Sequence, residues 1–532
     1  MSGLVRALIV AVLAFAVTVA ALDQDTDLRR LESSLVDAPS VKLHVTLKRK
    51  SMKLHGHSKF EVSANPVVSS DGKSVIYDGY ATFVEDDTVF KYFFVGGEEY
   101  MVEIPDSNST TESAEQIVQC LPSGTPFGAV VTSLNEAVPI PSASVGGEPV
   151  KCSSGNLFKT TFSGTQFAIC ASGSAGFTAF GSDMTVKVKY LDERVKIPEP
   201  KLSEGAAPCP AAAKPVAANP IALALMTGDK IPESTSRKLK AAEHMAMEAS
   251  SCQCKSKPRP CVFFHGLGNA NEDAELQDSN SNWGYAKLQG HTPCCSTVKY
   301  ANLNTVDYGW TDDTLQKKVC NHALSIGNSP ESTIENTIIV THSMGGLMLA
   351  GALASGKCAL GSSSTWIALS PPMTGSMSSD YIQDFCNGQI QGDFVADLMM
   401  NNRCPASAAI KTTSYENEKY AASLDEAYDA AQEAYRKHVS AAMCSTSYVG
   451  NISKYQAKYM LCGSKFPHKS SKNDGLVEFH SCAGGLPASK FNRNYMHPFY
   501  KAELNHVDTA FKTGDGIFKE TVKPIKWFEC LL

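Results

Sequence analysis

Thr337-Ile338-Ile339-Val340-Thr341-His342-Ser343-Met344-Gly345-Gly346-Leu347 is the stretch on which the reading of this chain turns. The apolar, β-branched run Ile338-Ile339-Val340 stops at Ser343, and a helical segment with one small-residue face follows from Gly345 to Gly351. Strand, sharp turn and helix in that order make a nucleophile elbow, which lifts a serine hydroxyl off the end of a parallel sheet. The hydroxyl then lies near the positive end of the following helix. Gly345 and Gly346 read as positions where helix and strand backbones approach closely. Thr341 stands where this motif usually has its first glycine. So short a motif recurs by chance. Its weight depends on a base, an acid and an oxyanion hole following in the places such a fold supplies.

Working outward, Pro260-Cys261-Val262-Phe263-Phe264 predicts a buried strand that runs into the turn His265-Gly266-Leu267-Gly268. The N–H groups of Leu267 and Met344 are the candidate oxyanion hole. After the elbow, Trp366–Ser370 reads as a further strand and Pro371–Ser376 as its exit turn. A helical insertion of about 377–456 follows, with Ser423 and Glu426 as a capping box. That box opens an amphipathic helix whose Leu424, Tyr428, Ala431 and Tyr435 share one face. The insertion is expected to form a cap over the serine, with a helix packed on the sheet edge as the alternative. Tyr459–Cys462 reads as the strand that resumes the core. Asp474, in the turn Asn473-Asp474-Gly475, is the candidate acid, and His506, in the late loop Glu503–Asp508, is the candidate base.

The rest of the chain frames this half. At 532 residues several domains are expected, and 43% hydrophobic with 19% charged residues is ordinary for globular protein. The formal net charge of -6 excludes a nucleic-acid-binding surface as the leading function. Arg6 followed by the apolar run Ala7–Ala21 reads as a signal peptide over residues 1–21, cleaved after Ala20 or Ala21, so the protein is expected to be secreted. No later segment is long and apolar enough to cross a bilayer. From Val41 to Leu191 the pattern has period two, with Asp71-Gly72 and Gly96-Gly97 as hairpin turns. Residues 22–197 therefore predict a separate antiparallel β-rich domain with one wet face, built as a sandwich or curved half-barrel. Residues 198–258 form a Pro/Ala-rich linker with a helix over Ser234–Ser250, and 259–532 make the second domain. Of 17 cysteines, fourteen lie from Cys209 onward, which points to a disulfide-stapled C-terminal half and, the total being odd, a free thiol. Asn108-Ser109-Thr110 and Asn451-Ile452-Ser453 are glycosylation sequons.

His265-Gly266, Ser343, Asp474 and His506 fall in the chain order of an α/β-hydrolase, and the set resembles the secreted lipases of that fold, above all the bacterial true-lipase family. The family motifs look like His265-Gly266-Leu267-Gly268, Thr341-His342-Ser343-Met344-Gly345-Gly346, Pro372-Met373-Thr374-Gly375-Ser376, Asn473-Asp474-Gly475-Leu476-Val477 and Asn505-His506-Val507-Asp508, with Met373 where the family has histidine. The resemblance covers roughly 259–532. It implies an α/β fold with a mostly parallel sheet flanked by helices and carrying a helical cap. It also implies a secreted serine hydrolase cleaving acyl esters through Ser343, Asp474 and His506, with an ester or lipid substrate and a lipid interface as contact. Alternatives with the same triad are a thioesterase, a glycolipid deacylase or an acyltransferase; a non-catalytic binding protein on this fold is the alternative of another class. The family holds a calcium ion near its histidine loop. Asp508 matches one of its ligands, but Lys454 stands where the second aspartate is expected, so no metal or other cofactor is expected. Since all four pieces lie after Pro260, the segment from about Ser234 to Leu532 is expected to act alone.

Overall fold

A computed structural model describes residues 35–532 apart from 37, 106–115, 122–126, 203–206, 233–243, 328, 330 and 391–403. The expected signal peptide, the Asn108 sequon, most of the expected linker helix and part of the expected insertion lie outside the described residues. The chain divides into two compact units: residues up to Lys48 with His57–Ser250, and Arg49–Gly56 with Ser251–Leu532.

The first unit is built on a 12-stranded sheet together with a three-stranded one. Ser40–Leu47 lies in the middle of the larger sheet, paired antiparallel with Lys59–Val68 on one side and Met184–Leu191 on the other. Gly72, Gly96 and Gly97 have positive φ, so the two expected hairpin turns sit where glycine is required. The larger sheet is not wet along one whole face. Val75, Phe158 and Ile169 pack under the helix Pro220–Thr227, while Leu157, Ala168 and Cys170, on the opposite face by register, pack under Met245 and Met247. Met245–Met247, expected at the end of a helix, is a strand pairing in parallel with Ala143–Val145. The alternation Met-Ala-Met buries both methionines on one side, a two-residue period that a helix cannot satisfy.

The second unit holds a six-stranded sheet. Its strands are β1 (Arg259–Phe264), β2 (Cys295–Ala301), β3 (Ile338–His342), β4 (Thr365–Leu369), β5 (Val439–Ser445) and β6 (Phe499–Ala502), in the order β2-β1-β3-β4-β5-β6. Every pairing is parallel. Ile338 and Val340 enter one apolar cluster with Phe263, Ile367 and Trp527, while Ile339 enters another with Val262, Trp366 and Leu347. Both faces of β3 are therefore covered, which is why the strand reads as an unbroken apolar run. Among its helices are α1 (Asp313–Ile326), α2 (Met344–Ala354), α3 (Asp425–His438), α4 (Gln456–Lys465) and α5 (Pro524–Leu531).

Three expectations change here. Helix α3 starts at Asp425 with no side-chain cap, so Ser423 and Glu426 form no capping box. Its Tyr428, Ala431 and Tyr435 pack with Trp310, Met348 and Trp366 on the sheet face, and the chain passes directly into β5 at Val439. It is thus the crossover helix between β4 and β5, built into the core. Tyr459–Cys462 is helical, because Gln456, Tyr459 and Cys462 recur every three residues on one buried face. The strand sought there is β5, Val-Ser-Ala-Ala-Met-Cys-Ser, whose small residues carry little β signal.

Eight disulfides form, six of them in the second unit, and Cys462 is the buried free thiol. Among the described residues no helix is long and apolar enough to cross a membrane. So dense a set of disulfides is consistent with an oxidising, extracellular compartment.

Candidate active site

The strand order reverses at β1 and β3, and loops leaving the carboxyl ends of such strands face a crevice suited to ligands. Ser343 is the first residue past β3. Its backbone is left-handed (φ 55°, ψ −133°), its N–H donates to Leu369 O at 2.9 Å, and α2 begins at the next residue. A non-glycine residue in that conformation is strained and persists only where its surroundings hold it. Three glycines make the room. A Cβ on Gly345 would lie 2.6 Å from Phe264 O, one on Gly346 2.5 Å from Pro371 Cβ, and one on Gly266 2.6 Å from Ser343 Cβ. Thr341, in the usual glycine position, is buried and its hydroxyl accepts from Trp366 Nε1 at 2.9 Å.

His506 lies in the loop after β6, and Asp474 in the turn that follows α4. Nδ1 of His506 donates to Asp474 Oδ2 at 2.8 Å, and its backbone N–H donates to Asp474 O at 2.9 Å. The other carboxylate oxygen accepts from the N–H groups of Leu476 (3.0 Å) and Val477 (2.7 Å). Burial works to raise the Asp474 pKa, but the His506 charge and these hydrogen bonds prevail and hold the carboxyl below its ordinary value. The pair is buried, and its free Nε2 is the only ring nitrogen of His506 left to serve as a base. Among the described contacts no hydrogen bond joins it to the Ser343 hydroxyl. Catalytic hydrogen bonds are often long before substrate binds.

His342 packs against the base, its ring centroid 4.7 Å from that of His506. Its Nε2–H donates to the His506 carbonyl at 3.0 Å. Burial, then repulsion from His506, pushes its pKa well down, so it stays neutral. Nothing in the sequence pattern gives His342 a role beyond its place directly before the serine.

Leu267 and Met344, the candidate oxyanion donors, follow directly on Gly266 and Ser343, the two residues in close approach. The turn carrying Leu267 is pinned by His265, whose Nδ1–H donates to Gly266 O at 2.7 Å while Nε2 accepts from Leu303 N at 3.1 Å. Met344 is the first residue of α2, where helical N–H groups lack internal partners. Among the described residues neither N–H engages an acceptor. The Leu267 side chain is 40% exposed, an apolar group at the rim of the site.

Asp508 is fully buried. Oδ2 accepts from the N–H groups of Asn451 (2.7 Å) and Asn505 (3.1 Å), and Oδ1 accepts from the Thr513 hydroxyl. Burial pushes its carboxyl up to about 7. Donors already occupy the directions a cation would need, and no cluster of three or more ligating side chains exists among the described residues. These residues do not fit a calcium ion. Asn451, read as a glycosylation acceptor, is buried and donates its side-chain amide to Gly514 O at 2.9 Å, so it is an anchor of this loop rather than a modification site.

No protein-family model matches the sequence, and no curated protein matches it. Weak matches exist among solved structures. Phospholipase PlaB from Legionella pneumophila has 13% identity over 42% of this chain and 45% of that chain, with a TM-score of 0.28. Lipase 1 from Pelosinus fermentans has 14% identity over 52% of this chain and 97% of that one, with a TM-score of 0.28. The metagenomic carboxyl esterase MGS0156 has 14% identity over 55% and 80%, with a TM-score of 0.27. This chain thus spans under half of the phospholipase. At such scores these likenesses assign neither fold nor function.

Proposed function

We propose that this chain is a secreted serine hydrolase that cleaves acyl esters. The observation that carries the reading is Ser343 held at positive φ at the end of a parallel strand, with the buried Asp474–His506 pair in the neighbouring loops. In this reading His506 Nε2 takes the Ser343 proton as Oγ adds to the ester carbonyl. The N–H groups of Leu267 and Met344 receive the negative charge on the tetrahedral oxygen. The proton then passes from His506 to the departing alcohol, leaving an acyl-enzyme. A water molecule, deprotonated by the same imidazole, releases the acid and restores Ser343. Asp474 stays ionised, fixes the tautomer with Nδ1–H and supports the imidazolium. The exposed Leu267 at the rim favours substrates with an apolar acyl or alcohol group.

The test is covalent labelling with a serine-directed fluorophosphonate and turnover of p-nitrophenyl esters of graded acyl length. Labelling that maps to Ser343 and disappears in Ser343→Ala is expected. An unlabelled, inert but folded wild-type protein would return the chain to the class of non-catalytic binding proteins.

A further inference from the structure

Residues Arg49–Gly56 precede most of the first unit in sequence, yet they belong to the second. Their polar atoms are spent on it. The Arg49 guanidinium is buried against Glu529 of α5 and lies 3.6 Å from Asp515. His291 Nδ1 reaches the same Glu529 oxygen at 3.0 Å, and the Cys252 N–H donates to the other at 3.0 Å. Ser51 donates its hydroxyl to Asp515 Oδ2 at 2.7 Å and accepts the Asp515 N–H on its carbonyl at 2.6 Å. Asp515 Oδ1 in turn accepts the N–H groups of Ile525 and Lys526, which open α5. Met52 is fully buried. Gly514 has φ +84°, and a Cβ there would lie 2.0 Å from Ser51 O, so the loop is shaped to admit this segment.

That loop is the one that carries His506. Gly514 O accepts from Asn451, whose own N–H donates to Asp508, and Asp508 also accepts from Asn505. Asn505 and Asp508 flank His506. Two buried carboxylates, Asp515 and Glu529, therefore have Arg49 as their shared guanidinium, and the segment reaches the base loop through the unbroken path Ser51–Asp515–Gly514–Asn451–Asp508.

We infer that Arg49–Gly56 is a strap of the second unit that positions the His506 loop, so that the C-terminal half is incomplete without a piece of the N-terminal half. A fragment beginning in the linker lacks this piece. The positioning part of the inference rests on the hydrolase reading above; the strap itself does not. Arg49 and Ser51 are positioning residues, since neither touches the reacting atoms.

The test uses the full chain, with a site-specific protease sequence inserted between Ser250 and Ser251. Among the described residues the disulfides fall wholly before this point (Cys120–Cys209, Cys152–Cys170) or wholly after it (Cys252–Cys530 and five others), so cleavage leaves no covalent tie across it. The cut halves are expected to remain together, and stripping residues 1–250 from the complex should leave residues 251–532 melting at lower temperature. Separated halves with residues 251–532 melting as in the uncut protein would overturn the strap, whether or not the chain proves to be a hydrolase. For positioning, Arg49→Met is compared with Arg49→Met/Asp515→Asn/Glu529→Gln, which removes the stranded charges together. Measured well below its melting temperature, Arg49→Met should slow fluorophosphonate labelling roughly 10- to 100-fold, the scale of an ångström-level displacement of a catalytic group. The neutral triple variant should recover much of that loss. Folded Arg49→Met labelling at the wild-type rate would refute positioning, and a wild-type melting temperature as well would refute the strap.

Discussion

Asp474→Asn is the most discriminating substitution, because the structure dictates how the new amide must turn. Oδ1 of Asp474 accepts two backbone N–H groups, from Leu476 and Val477, and only the oxygen of an asparagine can take that place. The amide NH2 is then aimed at His506 Nδ1, where Oδ2 now sits 2.8 Å away. To meet a donor, Nδ1 must become an acceptor. The ring proton moves to Nε2, the nitrogen required to accept the Ser343 proton, and the base is disabled without loss of shape. Triads altered in this way lose about 10⁴-fold in turnover, equivalent to ~5.5 kcal/mol of transition-state stabilisation. The fold should persist, since every backbone contact of the turn is kept. The assay is kcat/KM on a soluble p-nitrophenyl ester, with the fluorophosphonate labelling rate beside it and a thermal melt as control. A folded variant within tenfold of wild type in both rates would show that Asp474 does not set the tautomer and that the acid lies elsewhere.

Gly266→Ala places a Cβ 2.9 Å from Ser343 Oγ and 2.6 Å from its Cβ, so labelling should fall by about 100-fold or more as the serine is displaced; unchanged labelling would contradict the close approach. A calcium chelator should leave both melting temperature and esterase rate unaltered, and Asp508→Asn should cost less than about tenfold in turnover, since an asparagine can keep the same oxygen acceptor for the Asn451 and Asn505 N–H groups. Replacing Cys252 and Cys530 by alanine opens a link between residues 278 apart and should cost about 2–5 kcal/mol, read by denaturant melts. The folded-state pKa of Asp474 is depressed, so its contribution to stability is complete above the ordinary carboxylate pKa of about 4 and is lost as pH falls through the lower folded value. The stability gap between wild type and Asp474→Asn should therefore be present at pH 7 and close on acidification; a gap that widens instead would reverse the assigned sign.

The features legible in the sequence are those decided by near neighbours. Ile338–Val340 is apolar at every position because both faces of the strand are covered, and that alone marks a buried strand. Gly345 and Gly346 announce a close approach because nothing larger fits beside Phe264, His265 and Pro371. Gly72 and Gly96-Gly97 announce turns because their backbones are left-handed. By contrast, β5 was invisible because Ala441, Ala442 and Ser445 gain their burial from neighbouring strands rather than from their own character. The pattern of helix α3 left open a cap or a helix packed on the sheet edge, since an amphipathic pattern states that a face is buried but not against what. The pairing of Cys252 with Cys530, the neutral His342 beside His506 and the burial of Asn451 likewise have no local signature.

Sequence by itself determined the strand–turn–helix around Ser343, the turn at Asp474 and the late-loop position of His506, because each depends on residues within a few positions of one another. Only the tertiary structure decided that Asp474 and His506 meet at 2.8 Å, that Asp508 is saturated by N–H and O–H donors, and that Arg49 is buried against Glu529 across 480 positions of chain. The reason is physical. Backbone propensity and side-chain periodicity act over a turn or a strand, whereas the pairing of buried charges is set by which distant segments exclude water from the same place.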